Sequence, residues 1–141
     1  MKEKEYKKTY KPFIAWLIGF PVILMMITKI LGDFSIKISV LTTLILTVVS
    51  LYLLMLIVYK GEYVYWINGG PTYEEAKEAG SEVRKKYAKE HLDIFFKIMK
   101  VTLVYGVISL LLKLSIWVDI PFITLNVMVA AFATLSINFE K

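Results

Sequence analysis

Few residues in this chain could do chemistry, and their spacing offers no reaction. The single histidine, His91, stands beside Glu90 and Asp93, which raises the question of a metal site. A helical metal face needs ligands at i and i+3 or i+4, and Glu90 and Asp93 flank a different face from His91, so no metal is expected. The acids nearest the apolar stretches, Asp33 and Asp119, read as loop residues. Asp119, just before Ile120-Pro121, has the position of a helix N-cap more than that of a catalytic acid. The sequence contains no G-x-x-x-x-G-K-[ST], G-x-S-x-G or H-E-x-x-H, so nucleotide, esterase and zinc-hydrolase mechanisms lack support. Without cysteine there is no disulfide, thiolate ligand or lipidated thiol. No catalytic residue, cofactor or metal is expected.

Two polar patterns remain. Lys113 falls within an apolar stretch, where an ionised lysine costs ~2.5–3.5 kcal/mol at the centre of a membrane on insertion scales. Lys113 lies six residues before Asp119 and Asn126 seven after it, so two antiparallel helices would bring both to about 10 Å below their shared turn. Thr42 and Thr43 enter their own helix at nearly the same depth. These four residues form a candidate intramembrane polar layer, with Thr102, Gly106 and Ser109 on the same face as Lys113. The bland alternative is that Lys113 extends its four-carbon stem to the headgroups. The second pattern is Tyr73, Ala76, Gly80, Val83, Tyr87, His91, Ile94 and Ile98, which alternates steps of three and four like a heptad seam. Its first six members are a candidate interaction seam, with small Ala76 and Gly80 allowing close approach of another helix. Glu78, Glu82 and Lys86 have ordinary i,i+4 surface spacing and identify no ligand.

The elements that must position these residues follow from hydropathy. Of 141 residues, 57% are hydrophobic and the mean hydropathy is +0.62, more apolar surface than a soluble core of this size can hide. Four apolar runs, Pro12–Leu31, Ile38–Tyr59, Val101–Val118 and Ile120–Ile137, are each about 17–22 residues long, enough to span a bilayer as helices. The first run is too long for a signal peptide and no A-x-A-like cleavage site follows it. Fourteen of the seventeen basic residues fall in the N-terminal tail, the 60–100 segment or at Lys141, leaving Lys29, Lys37 and Lys113 for the other side. That split predicts four crossings of the cell membrane with both termini cytoplasmic.

The expected fold is all-α, an integral membrane four-helix bundle whose second and third helices extend into a cytoplasmic helical hairpin over 60–100. Tyr59, Tyr63 and Trp66 would continue the second helix until Asn68-Gly69-Gly70 stops it. Thr72 and Glu75 form a capping box for the third, which nothing strong breaks before Trp117. Pro21, with Gly19, should bend helix one.

Function is read from these features as a non-enzymatic accessory or interaction protein using the hairpin. The seam is expected to close intramolecularly first, with a protein partner or second copy as the alternative. A small transporter or channel acting as a homo-oligomer is the rival reading, supported by small residues at Ala15, Gly19, Ala130, Ala133 and Thr134. A membrane-embedded lipid enzyme is disfavoured by the lack of paired acids. The lipid bilayer is the expected environment. Nucleic acid is not an expected partner, because the polar 60–100 segment carries nearly as many acids as bases.

Overall fold

The computed structural model describes residues 6–33 and 35–140. The described residues form five α-helices: α1 (Lys11–Gly32), α2 (Ile36–Gly61), α3 (Tyr73–Glu78), α4 (Gly80–Leu111) and α5 (Ile116–Thr134). A 3-10 turn, Val64–Trp66, follows α2. Four of the helices, α1, α2, α4 and α5, are long and apolar enough to cross a membrane. The β-branched content of α2 does not prevent a helix, because a long apolar run satisfies its backbone most completely as one.

Local chemistry sets most starts. Ser35 and Ser115 cap α2 and α5 by accepting from the Ile38 and Trp117 N–H groups. Thr72 and Glu75 make the expected reciprocal capping box at α3. The α5 start corrects the N-cap reading of Asp119: the helix begins one turn earlier, at Ile116, and Asp119 rotates into the bundle, where it is fully buried.

The helix ends depart further from expectation. α2 does not run on through Tyr63 and Trp66 to Asn68. It stops at Gly61, because Glu62 takes the left-handed conformation (φ 56°), with the Tyr63 N–H bonding to the Val58 carbonyl at 3.0 Å and the Glu62 N–H to the Tyr59 carbonyl at 3.4 Å. This is a Schellman closure. The same closure ends α4 at Leu111. Lys113 is left-handed (φ 52°), the Leu114 N–H bonds to the Ser109 carbonyl at 3.0 Å and the Lys113 N–H to the Leu110 carbonyl at 3.3 Å. The expected unbroken third helix is interrupted at Gly80, whose φ of 80° separates α3 from α4; glycine enters that region without a Cβ penalty. The region after α2 is therefore an irregular loop and a 3-10 turn in place of the α2 arm of the expected hairpin, and the other arm begins as a one-and-a-half-turn helix broken from α4 at Gly80.

α2 is the hub, packing on α1, α4 and α5, while α1 packs on no other helix and buries no residue. The bundle is thus a three-helix core of α2, α4 and α5 with α1 laid against α2. α1 runs continuously through Pro21. Leu41, Val48, Ile98, Tyr105, Ile123 and Ala130 form the core at the level of the long helices. Gly106 allows α2 and α4 close approach: a Cβ there would lie 2.5 Å from Ile45 Cδ1. A second cluster, Val58, Val64, Ala76, Tyr87 and Ala88, collects Tyr6 and Phe139 from the two chain ends. Both described ends therefore lie at one end of the bundle, opposite the α1–α2 and α4–α5 turns.

Candidate functional site

Two polar assemblies sit at opposite ends of the bundle. At the turn end, Asp119 from the first turn of α5 is the meeting point. Its Oδ1 accepts from the Tyr105 hydroxyl at 2.9 Å and from Ser109 Oγ at 2.6 Å. Its Oδ2 is ion-paired to Lys37 Nζ from the first turn of α2. Lys37 Nζ also donates to Ser109 Oγ and to the Leu114 carbonyl, each at 2.7 Å. The ammonium thus spends its three protons on Asp119, Ser109 and the α4–α5 turn. The Lys37 side chain is 23% exposed and that of Asp119 1%. Every charged atom has a partner, so the cluster is a brace joining α2, α4 and α5, with no free group poised for acid or base chemistry.

At the terminal end, a head is built from the 62–79 segment, the start of α4, the N-terminal strip 6–10 and the C-terminal residues 137–139. Left-handed Glu62 is held by Arg84, which donates from Nε at 2.8 Å and pairs through Nη2 at 2.8 Å, and by Ser81 Oγ at 2.7 Å. Burial raises the Glu62 carboxyl, but the Ser81 and Arg84 hydrogen bonds and the positive charges of Arg84 and Lys85 outweigh it and hold the group below its ordinary 4.5. Arg84 also donates to the Ala76 carbonyl at 2.8 Å and lies 3.9 Å above the Tyr6 ring.

The N-terminal strip is clamped there by five hydrogen bonds, one of them from the Thr9 N–H to the Tyr65 hydroxyl at 2.8 Å. Tyr6 donates to the Glu62 carbonyl at 2.8 Å, Tyr73 to the Tyr6 carbonyl at 2.7 Å, and Tyr65 and Trp66 to the Thr9 carbonyl at 2.8 and 3.0 Å. Tyr6 stacks on Tyr73 at 5.3 Å and Tyr63 on Trp66 at 4.3 Å. Burial pushes the Tyr6 hydroxyl well above the ordinary phenol range despite the opposing Arg84 charge, so it stays a neutral donor.

The expected sites are redistributed. Thr102, Gly106 and Ser109 do face inward, but Lys113 is exposed beyond the helix. It is not joined to Asn126, which is half-buried and donates to Thr102 Oγ1 at 3.0 Å. Thr42 is half-buried, and Thr43 bonds back to the Ser39 carbonyl at 2.8 Å. The lysine that joins the α4–α5 polar cluster is Lys37, not Lys113, because the Schellman turn carries Lys113 out of register with the inward face. In the seam, Ala76, Tyr87 and His91 are buried and Tyr73, Gly80 and Val83 half-buried. Their partners are the Val58–Val64 corner and the two chain ends, not an extension of α2. Tyr87 meets Phe139 edge-on at 5.2 Å, and His91 Nδ1 lies 3.0 Å from the Tyr87 carbonyl. Gly80 is no close-approach point: a Cβ there would meet nothing within 4 Å.

Sequence reasoning missed Lys37–Asp119 and Glu62–Arg84, whose partners lie 82 and 22 residues apart. The available signal was the placement of Asp119 and Ser109 among apolar residues, where a lone charge or hydroxyl calls for a partner. Among the described residues no three His, Cys, Asp or Glu side chains are grouped to hold a metal ion. No family model matches the chain, and neither a curated protein nor a solved structure is detectably similar to it.

Proposed function

We propose that this chain is a non-enzymatic accessory protein of the cell membrane, crossing it four times with both termini cytoplasmic and docking a protein partner on its folded terminal head. The observation that carries the reading is the Glu62–Arg84–Tyr6 lock. An ion pair, a cation–π contact and five tyrosine and tryptophan hydrogen bonds order a region that, among the described residues, makes no catalytic constellation. Such ordering lowers the entropy lost on binding and suits a recognition surface. The charge asymmetry of the sequence supports the cytoplasmic assignment of that end. The brace at Lys37–Asp119 keeps the membrane part of the molecule in one arrangement.

Photocrosslinking in cells from exposed head positions Glu82 and Lys89, with Leu111 at the other end as control, tests the reading. A discrete adduct from the head alone, lost in Arg84→Ala, is the expected result. Absence of any head-specific adduct, together with solute flux through liposomes containing only this chain, would overturn it in favour of an oligomeric channel. One observation favours that rival: Ala15 is exposed and a Cβ at Gly19 would meet nothing within 4 Å, leaving a small-residue face of α1 open to another copy.

A further inference from the structure

Between α4 and the C-terminal residues lies an open cleft of about 590 Å³, within the size range of small-ligand sites. One wall is a single stripe of α4 carrying Lys86, Glu90, Asp93 and Lys97. These are spaced for the i,i+4 pairing common on helix surfaces. Yet none of the four has an ion-pair or hydrogen-bond partner among the described residues. The opposite wall is the end of α5 and the segment beyond it, where Ala133 and Ile137, with Ile94 of α4, make an apolar floor, and Glu140 adds a third carboxylate. Among the described residues the cleft therefore offers two cations and three anions at the point where α5 ends, with the two α4 carboxylates, Glu90 and Asp93, lying between Lys86 and Lys97.

Three features choose the ligand. The excess of carboxylates disfavours a purely anionic group and calls for a cation as well as an anion. The order matters too: Lys97 lies nearest the apolar half of α4, Asp93 one turn farther out and Glu90 the next, about 6 Å per four residues. A phospholipid entering from the bilayer presents its phosphate nearer the acyl chains and its amine farther out, the same polarity. Among the described residues none lining this cleft is aromatic, and Tyr87 reaches only the smaller cleft that adjoins it at Lys86 and Glu90, whereas a quaternary ammonium is usually held by several aromatic faces; exposed carboxylates suit a primary ammonium that donates charge-assisted hydrogen bonds.

We propose that this cleft holds the headgroup of an aminophospholipid of the phosphatidylethanolamine class, with Lys97 on the phosphate and Asp93 and Glu90 on the primary ammonium. The inference rests on the membrane reading above and extends it to a lipid that the protein selects.

The test reconstitutes the full chain in bilayers of equal parts phosphatidylethanolamine, phosphatidylcholine and phosphatidylglycerol, then reads the lipid retained on mild detergent release by native mass spectrometry. Phosphatidylethanolamine should be retained several-fold above its share. The Glu90→Gln/Asp93→Asn variant should lose that preference, and Lys97→Gln should lower phospholipid retention as a whole, both with unchanged helicity and thermal stability, since all three positions are exposed. Retention that mirrors the bilayer, a preference for phosphatidylglycerol, or equal stabilisation by soluble phosphoethanolamine overturns the assignment. Extraction of the chain by alkaline carbonate overturns the membrane reading together with it, whereas a carbonate-resistant chain with unselected lipid overturns the lipid site alone.

Discussion

Replacing Lys37 with methionine and Asp119 with asparagine, singly and together, measures what the brace contributes. Removing one partner of a buried ion pair costs about 3–5 kcal/mol, chiefly because the other charge is left uncompensated. The structure makes the two single losses unequal. Asp119, with its side chain 1% exposed, has no route to solvent, so Lys37→Met should fall at the upper end, about 4–5 kcal/mol. Lys37 is 23% exposed and sits in the first turn of α2, so in Asp119→Asn its ammonium can swing to the surface on its flexible stem, bringing the cost to about 3 kcal/mol or less. The double variant should cost less than the sum of the singles by on the order of 1–3 kcal/mol, the coupling of residues in one network. An ordinary interhelical hydrogen bond between membrane helices averages only ~0.6 kcal/mol, so the cycle separates a brace from an incidental contact. Equilibrium unfolding in mixed micelles by far-ultraviolet circular dichroism supplies the four free energies. Additive single effects, or Lys37→Met no worse than Asp119→Asn, would refute the reasoning.

The Glu62 lock makes the head sensitive to acid. Its folded carboxyl lies below its ordinary 4.5, so its contribution is fully present above about that value and is lost as pH falls through the lower folded value. Proteolysis of the 6–10 strip or Trp66 fluorescence should report loosening in that window in the native chain and none in Glu62→Gln, which should be loosened at all pH values. Gly80→Ala should destabilise by about 1–2 kcal/mol, because φ 80° strains any Cβ although space is open; Gly80→Asn should cost less, and a stabilised Gly80→Ala in thermal melts would mean that α3 and α4 merge. Reporter fusions at Lys141 should be active only with a cytoplasmic reporter, and activity of a periplasmic or extracellular one would reverse the orientation.

Much of the architecture was legible in the chain. Runs of about twenty apolar residues read as helices long enough to span a membrane, because in lipid the backbone groups would have to pair within the segment, and four such helices form. The capping box at Thr72 and Glu75 is equally local, a matter of side chains three residues apart. The inward face of Thr102, Gly106 and Ser109 followed from helical periodicity. Where α2 and α4 stop did not follow. Their left-handed residues are Glu62 and Lys113, not the glycine or asparagine that marks such ends. At Glu62 the strain is offset by Arg84, Ser81 and Tyr6, which belong to other segments. Those two stops decided the rest. Ending α4 at Leu111 turned Lys113 outward and let α5 begin at Ile116, which brought Asp119 to Ser109 and Lys37; ending α2 at Gly61 turned the supposed hairpin into a head that grips Tyr6 and Phe139, near the two ends of the described residues. Hydropathy and capping are written in neighbouring residues, whereas a long-range ion pair and the helix end it permits exist only once the segments have met.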